Sequence, residues 1–208
     1  MVGAILKDER NLNLWLKSPL PFLLLSTPSN EESNVNFVDW DNFGVATQAV
    51  EFLVQRNYKR IGLVLPSLDY TCHQENLRGF RRALSEQALT FNESWVWAVG
   101  FEPQSGYEFA KKFFALKNRP DALVFLAEMA RVGFGKALIE RGYRLPEGLG
   151  LVVKEKFPGQ MSFLKGIAVL TPDYFQLGSI AADWLMKLVK GECQPPVRQL
   201  LPVPLKVT

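Results

Sequence analysis

Short apolar runs alternate along the chain with longer stretches of helical periodicity. Most runs are four or five residues long, which is typical of parallel strands covered on both faces. They predict strands at residues 3–6, 22–25, 36–38, 61–65, 95–99, 122–126, 149–153 and 167–170. The stretches between them repeat apolar residues every three or four positions, which predicts amphipathic helices. The predicted class is therefore α/β, with right-handed crossovers and a mostly parallel sheet.

Several residues predict where the helices begin and end. Asp41 is placed to cap the helix that follows it, because a carboxylate can accept the free amide hydrogens of a first turn. Gly142 and Gly191 predict two helix ends. Two isolated prolines predict that residues 199–208 form an edge strand or an ordered tail.

Composition restricts the class of protein. Of 208 residues, 48% are hydrophobic and 22% are charged, which fits a soluble chain with a real core, in one large or two small domains. No apolar run approaches the ~18 residues of a membrane span, and residues 1–6 are too short for a signal peptide. Two distant cysteines, Cys72 and Cys193, suit a reducing compartment, and we expect a cytoplasmic protein.

Charge gives no indication that this chain binds nucleic acid by itself. The 24 basic and 21 acidic residues are well mixed and leave a net charge of +3. Arg78, Arg81 and Arg82 lie at helical spacing, where a solvated helix face is a better explanation than a nucleic-acid contact.

Candidate catalytic chemistry is sparse. The only histidine, His73, is predicted to lie in a loop beside Cys72, and neighbours in sequence rarely form a proton-transfer pair. Residues 133–136 (GFGK) lack the spacing and the hydroxyl residue of a phosphate loop, so close helix packing explains these glycines better. We therefore expect no enzyme, no cofactor and no metal site. Phe101, just after a predicted strand, fits core and ligand pocket equally well.

A series of short segments resembles a known family when it is taken in order. The segments are residues 41–44 (DNFG), 57–62 (NYKRIG), 77–84 (LRGFRRAL), 101–107 (FEPQSGY), 119–122 (RPDA), 137–147 (ALIERGYRLPE) and 177–182 (LGSIAA). Together they resemble the effector-binding core of the lactose/purine repressor family of bacterial transcription regulators, which is similar to the periplasmic sugar-binding proteins. The resemblance extends over essentially the whole chain.

The resemblance implies a two-lobed, periplasmic-binding-protein-like (type I) α/β fold with parallel sheets and a small effector in the cleft. Residues 1–57 plus 172–196 would form a partial N-terminal lobe, and residues 58–171 plus 197–208 a C-terminal lobe. The family's DNA-binding headpiece and the first two strand–helix units of the first lobe have no counterpart here. We expect a partner chain or another segment to cover the incomplete sheet, because its unpaired strand edge is costly.

The resemblance also implies a set of ligand-binding residues. Phe101 occupies the position of the family's stacking aromatic residue, and Glu155 that of a pocket aspartate. Asn76 replaces a clamping arginine, and Glu128 lies in a pair that replaces Asn-Asp. The remaining predicted ligand-binding residues are Tyr70, Cys72, Tyr174 and Asp41. Loss of the arginine favours a neutral, sugar- or nucleoside-like ligand over an anionic one, and a pocket that no longer binds is a further alternative.

The resemblance implies the effector-sensing and dimerisation core of a repressor. Such a chain would form a homodimer, contact DNA only through the headpiece and have no membrane partner. The alternative is a solute-binding protein of a transport system, which would require a secretory signal.

Overall fold

In the computed structural model, strands and helices alternate through the described residues, which are 12, 15–28, 34–143, 145–155, 159 and 164–207. The strands are β1 (Phe37–Trp40), β2 (Ile61–Leu65), β3 (Val96–Ala98), β4 (Ala122–Phe125), β5 (Gly150–Lys154), β6 (Ala168–Leu170), β7 (Arg198–Leu201) and β8 (Leu205–Val207). The helices are α1 (Asn42–Val54), α2 (Thr71–Glu86), α3 (Pro103–Ala115), α4 (Ala130–Glu140) and α5 (Tyr174–Lys190).

The strands form two sheets. In the first sheet β1 pairs in parallel with β7, and Leu24 makes an isolated parallel bridge to Phe37. The second sheet has the strand order β3-β2-β4-β5-β6-β8, and every pair in it is parallel except β6 with β8. This arrangement confirms the predicted α/β class with mainly parallel strands.

The second sheet is covered on both faces. Leu63 of β2 and Val124 of β4 pack into a core shared with α1 and α2. Val64 and Leu123, their neighbours in sequence, point into a second core with α3 and α4. Burial on both faces explains why these strands are apolar throughout.

The predicted strand at residues 61–65 is confirmed without a shift of either end. The prediction of a strand at residues 22–25 is wrong, because only Leu24 makes a bridge. Residues 3–6 lie outside the described part of the chain. The predicted tail forms two strands, β7 and β8.

Two segments pack against a different sheet from the one that the predicted lobe division implies. α1, predicted with the first lobe, packs against α2 and the second sheet. Residues 197–208, predicted with the second lobe, divide between sheets, because β7 pairs with β1 and only β8 pairs with β6. Position along the chain cannot show which sheet a segment joins, since packing decides that. The two-lobe division itself stays a prediction.

The structure confirms the predicted start of α1 and the predicted ends of α4 and α5. The Asp41 carboxylate accepts the Gly44 amide hydrogen at 2.7 Å and caps α1. Gly191, with φ of 70°, is the left-handed C-cap of α5. Gly142 follows the end of α4 with φ of 66°.

Candidate ligand-binding cleft

Polar side chains collect where strands of both sheets end. Asp39 lies near the end of β1, Glu128 follows β4, Lys154 is the last residue of β5, and Tyr174 follows β6. Electrostatic interactions connect Lys154 with Asp39, and Tyr174 with Glu128 and Asp39. The group therefore lies at the carboxyl ends of the strands, where open α/β sheets bind ligands.

Asp39 is a buried carboxylate with a full set of hydrogen bonds. Its oxygens accept bonds from the amide and hydroxyl of Thr27, at 2.9 and 3.0 Å, and from the Trp40 amide at 2.7 Å. The Asn42 side-chain amide donates a fourth bond at 3.3 Å. Burial raises the pKa of Asp39 against the opposing effect of these donors. This carboxylate fixes the end of β1 to the loop before it and to α1.

Tyr174, Glu128 and Lys154 form a polar triad in the cleft. The Tyr174 hydroxyl donates to Glu128 Oε1 at 3.2 Å, and Lys154 Nζ lies 3.8 Å from the same oxygen. Burial, followed by the charge of Glu128, raises the pKa of the Tyr174 hydroxyl, which therefore remains a donor. The Trp40 ring meets the Tyr174 ring edge-on, with centroids 5.8 Å apart.

A buried cation lies behind this triad. Arg131 of α4 is completely buried, and its guanidinium donates to the Glu128 carbonyl. Burial lowers the pKa of Arg131, and the charges of Glu155 and Glu128 oppose that effect. Glu155 is 2% exposed and accepts the Gly159 amide hydrogen at 3.0 Å. The arginine and the two carboxylates therefore compensate one another's charge inside the protein.

Aromatic side chains follow β2 and β3, on the same side of the cleft as Glu128 and Lys154. The Tyr70 ring lies between Phe101 and His73, with perpendicular contacts at centroid distances of 5.9 and 5.5 Å. Phe101 is 51% exposed, so it lies at the surface and not in the core. A half-exposed ring at this position can stack on a flat or sugar-like ligand.

Cys72 and His73 lie in the first turn of α2, which begins at Thr71, so the prediction that His73 lies in a loop is wrong. Burial raises the pKa of the Cys72 thiol to about 11 and lowers the pKa of His73 to about 4. Both side chains are therefore neutral near pH 7, and neither is prepared for nucleophilic or acid–base work.

Two predicted ligand-binding residues make structural contacts. Asn76 is 2% exposed, and its amide donates to the Asn42 carbonyl at 2.6 Å, which joins α2 to the start of α1. The Asp41 carboxylate is the cap of α1. Of the predicted set, the structure brings Glu128 and Tyr174 into direct contact and Tyr70 against Phe101.

Sequence reasoning missed three charged residues of the cleft. Asp39 and Lys154 each adjoin the end of a predicted strand, a position that could have drawn attention to them. Arg131 gave no such signal, because a single arginine in an amphipathic stretch predicts a solvated position. Its burial depends on carboxylates that folding brings from β4 and β5.

Several other chemistries find no support in the described residues. No group of three or more histidine, cysteine, aspartate or glutamate side chains there could hold a metal ion. None of the described helices has the length and apolarity to cross a membrane. Residues 133–136 lie within α4. The Arg78, Arg81 and Arg82 side chains are each more than half exposed, as the prediction of a solvated helix face requires, and each pairs with a glutamate.

Two sheets of mainly parallel strands, with polar side chains at the carboxyl ends, are typical of α/β proteins that bind a ligand there. The model of the periplasmic binding protein-like domain matches residues 50–207, and the chain belongs to this family. The chain spans about half the length of the curated relatives it matches. The HTH-type transcriptional repressor PurR of Haemophilus influenzae (strain PittEE) is 26% identical over 172 residues, which are 83% of this chain and 51% of the relative.

Solved structures show the same fold. A putative LacI transcriptional regulator from Bacillus cereus subsp. cytotoxis NVH 391-98 aligns with a TM-score of 0.86 and 20% identity, covering 98% of this chain and 71% of its own. The transcriptional regulator CelR in complex with cellobiose aligns with a TM-score of 0.86 and 22% identity, and the alignment covers 99% of this chain and 63% of the CelR chain. These neighbours confirm the predicted fold class.

Proposed function

We propose that the chain is the effector-sensing core of a DNA-binding transcription regulator and has no enzymatic activity. The observation that carries this is the match to the periplasmic binding protein-like domain, together with the cleft where polar residues from both sheets meet. The curated relative named above is an HTH-type transcriptional repressor, and both solved structures are transcriptional regulators, which favours a regulator over a solute-binding protein for transport. DNA would be contacted by a headpiece outside this core, in the cytoplasm.

The chain crosses between the two sheets in three segments, and these would act as the hinges on which the cleft opens and closes. The chain leaves β1 for α1 at Asp41, leaves β6 for α5 at Thr171–Asp173, and passes from β7 to β8 through residues 202–204. A ligand that contacts both sides of the cleft would stabilise the closed form. In a homodimer, this closure would change the spacing of the two DNA-binding headpieces.

A neutral, sugar- or nucleoside-like molecule fits the cleft best. Lys154 and Arg131 already face carboxylates, so an added anion gains little from them. Phe101 offers a half-exposed ring, and Trp40 Nε1 is a buried donor without a hydrogen-bond partner among the described residues. An aromatic ring and a free N–H donor suit a ligand that stacks on the ring and offers hydroxyl groups to the donor. The CelR complex holds cellobiose in the same fold.

Isothermal titration calorimetry against a panel of sugars and purine nucleosides tests this proposal. We expect one class to bind, and Phe101→Ala to weaken that binding about tenfold, as loss of an aromatic contact of about 1 kcal/mol or more predicts. Ile139→Ala on α4 is the control, because Ile139 is similarly exposed, at 52%, and lies outside the cleft. Equal affinities for the two variants would contradict the role of Phe101, and no binding to any compound would contradict sensing.

A further inference from the structure

We propose that the chain has a second binding site, for a small amphiphilic carboxylate, in a cavity at the opposite edge of the second sheet from the cleft. The cavity has a volume of about 340 Å³ and lies among α1, β5 and β8. A cavity of this size is typical of a small-molecule site. The inference goes beyond the proposed function, because none of the described residues that line this cavity belongs to the cleft.

The cavity lies where strands of the second sheet begin. Gly150 and Leu151, which line it, are the first two residues of β5. Val207, the last residue of β8, also lines it and pairs with Ala168 at the start of β6. Lys154 of the cleft is the last residue of β5. The two sites are therefore separated by the full length of this strand.

The walls of the cavity are mostly apolar. They include Phe52, Leu53, Tyr58, Pro146, Leu151 and Val207. Leu53 and Leu151 are buried, whereas Val207 is 59% exposed, so the cavity leads from solvent towards the core. A hydrocarbon chain or ring that enters it would lose contact with water on several sides, which is favourable.

Contacts within the protein hold the walls in place. The Tyr58 hydroxyl donates to the Pro146 carbonyl at 2.8 Å. A Cβ atom on Gly150 would lie 2.7 Å from the Tyr58 ring, and one on Gly166 would lie 2.6 Å from Pro146 Cδ. Tyr58 and Pro146 therefore pack closely against the backbone at these glycines. A cavity with fixed walls binds a ligand at a smaller entropic cost than one that must form during binding.

A single cation lies among the described lining residues. The Arg56 guanidinium lies over the Phe52 ring, 3.5 Å from its centroid, and donates to the Phe52 carbonyl at 3.3 Å. None of the ion pairs between described residues includes Arg56, and no described lining residue is an aspartate or glutamate. A guanidinium has five N–H donors, so this one can accept an anion at the edge of the cavity.

The lining therefore fits a molecule with an apolar body and one carboxylate. The body would lie against Leu53 and Leu151, and the carboxylate would pair with Arg56 on the solvent side. A polyhydroxylated molecule of the kind proposed for the cleft would have to lose its hydration against apolar walls, which is unfavourable. The charge of Arg56 favours the carboxylate over an alcohol of the same length.

Methyl NMR of the chain labelled at leucine and valine, titrated with octanoate or with 1-octanol, tests the site. We expect octanoate to shift the signals of Leu53, Leu151 and Val207. Arg56→Gln should weaken octanoate binding about fivefold, which corresponds to about 1 kcal/mol, and leave octanol binding unchanged. Arg82→Gln on α2 is the control, because Arg82 is also exposed and lies outside the cavity.

Circular dichroism shows that each variant is folded. Absence of shifts at the three cavity residues would overturn the site, and so would equal shifts at Leu116 and Val189, which are exposed elsewhere and report adsorption to any apolar surface. Octanol binding as tight as that of octanoate, or equal effects of the two arginine variants, would overturn the preference for a carboxylate. The titration needs no effector, so a cleft that binds no sugar or nucleoside would contradict the proposed function without affecting this result.

Discussion

A single buried imidazole gives the protein a specific pH dependence. Burial lowers the pKa of His73 to about 4 from an ordinary value of 6.5, so the folded state binds a proton less readily than the unfolded state. The resulting stability is fully present above pH 6.5 and is lost as the pH falls towards 4. We expect the free energy of unfolding to decrease by about 2 kcal/mol between about pH 7.5 and about pH 5.

Urea unfolding at the two pH values measures this loss, and His73→Gln is the comparison. Because His73 is the only histidine, the difference between the two proteins isolates its titration from that of the carboxylates. The glutamine variant should lose about 2 kcal/mol less than the wild type on acidification. If the free energy of unfolding of the wild type and of His73→Gln fell equally on acidification, the imidazole would be accessible to water.

Individual residues of the site were predictable only where their position in an element limits their surroundings. Phe101 directly follows a predicted strand, and this placed it near the cleft, although the choice between core and surface needed the structure. Asn76 and Arg131 show the limit. Both lie in helices, and only the folded partners, Asn42 and Glu155, explain why a polar side chain is buried there.

At the scale of elements, the crossing of α3 and α4 depends on two glycines. A Cβ atom on Gly106 would lie 1.6 Å from the Ala130 carbonyl oxygen, and one on Gly133 would lie 1.8 Å from that of Pro103. Both obstacles are backbone atoms, so the helices would have to separate. We expect Gly106→Ala and Gly133→Ala each to destabilise the fold by about 3 kcal/mol.

Gly178→Ala in α5 is the matched control, because nothing lies within 4 Å of its Cβ position. This change should stabilise the protein by up to about 1 kcal/mol, since alanine favours a helix over glycine. Thermal unfolding of the three variants measures the contrast. A similar Tm for all three would mean that the helices do not cross as closely as described.

Elements were predicted best where local pattern alone determines them. The five apolar residues of β2 are buried on both faces, and their run ends where the strand ends. α1 was recognised as a helix, but its partner was not, because an apolar face does not specify which sheet will cover it. The same limit explains the tail, where β7 and β8 join different sheets.

At the scale of the whole molecule, α5 exposes an apolar stripe. Phe175, Ala182, Met186 and Val189 recur on one face of the helix, and Phe175 is 87% exposed. On the opposite side Leu177 and Ala181 are buried. An amphipathic helix needs only one apolar face for its own fold, so the second, exposed face is where we expect two copies to associate.

We therefore expect the homodimer to form through this stripe. Met186→Glu combined with Val189→Glu would place two carboxylates, and their partners in the second copy, in an apolar interface, which is strongly unfavourable. Sedimentation equilibrium should show dimers of the wild type and monomers of the double variant, with at least about a tenfold increase in the dissociation constant. Ile139→Glu adds a carboxylate at a similarly exposed apolar position on α4 and should remain dimeric. A dimer that survives both changes on α5 would place the interface on another face of the molecule.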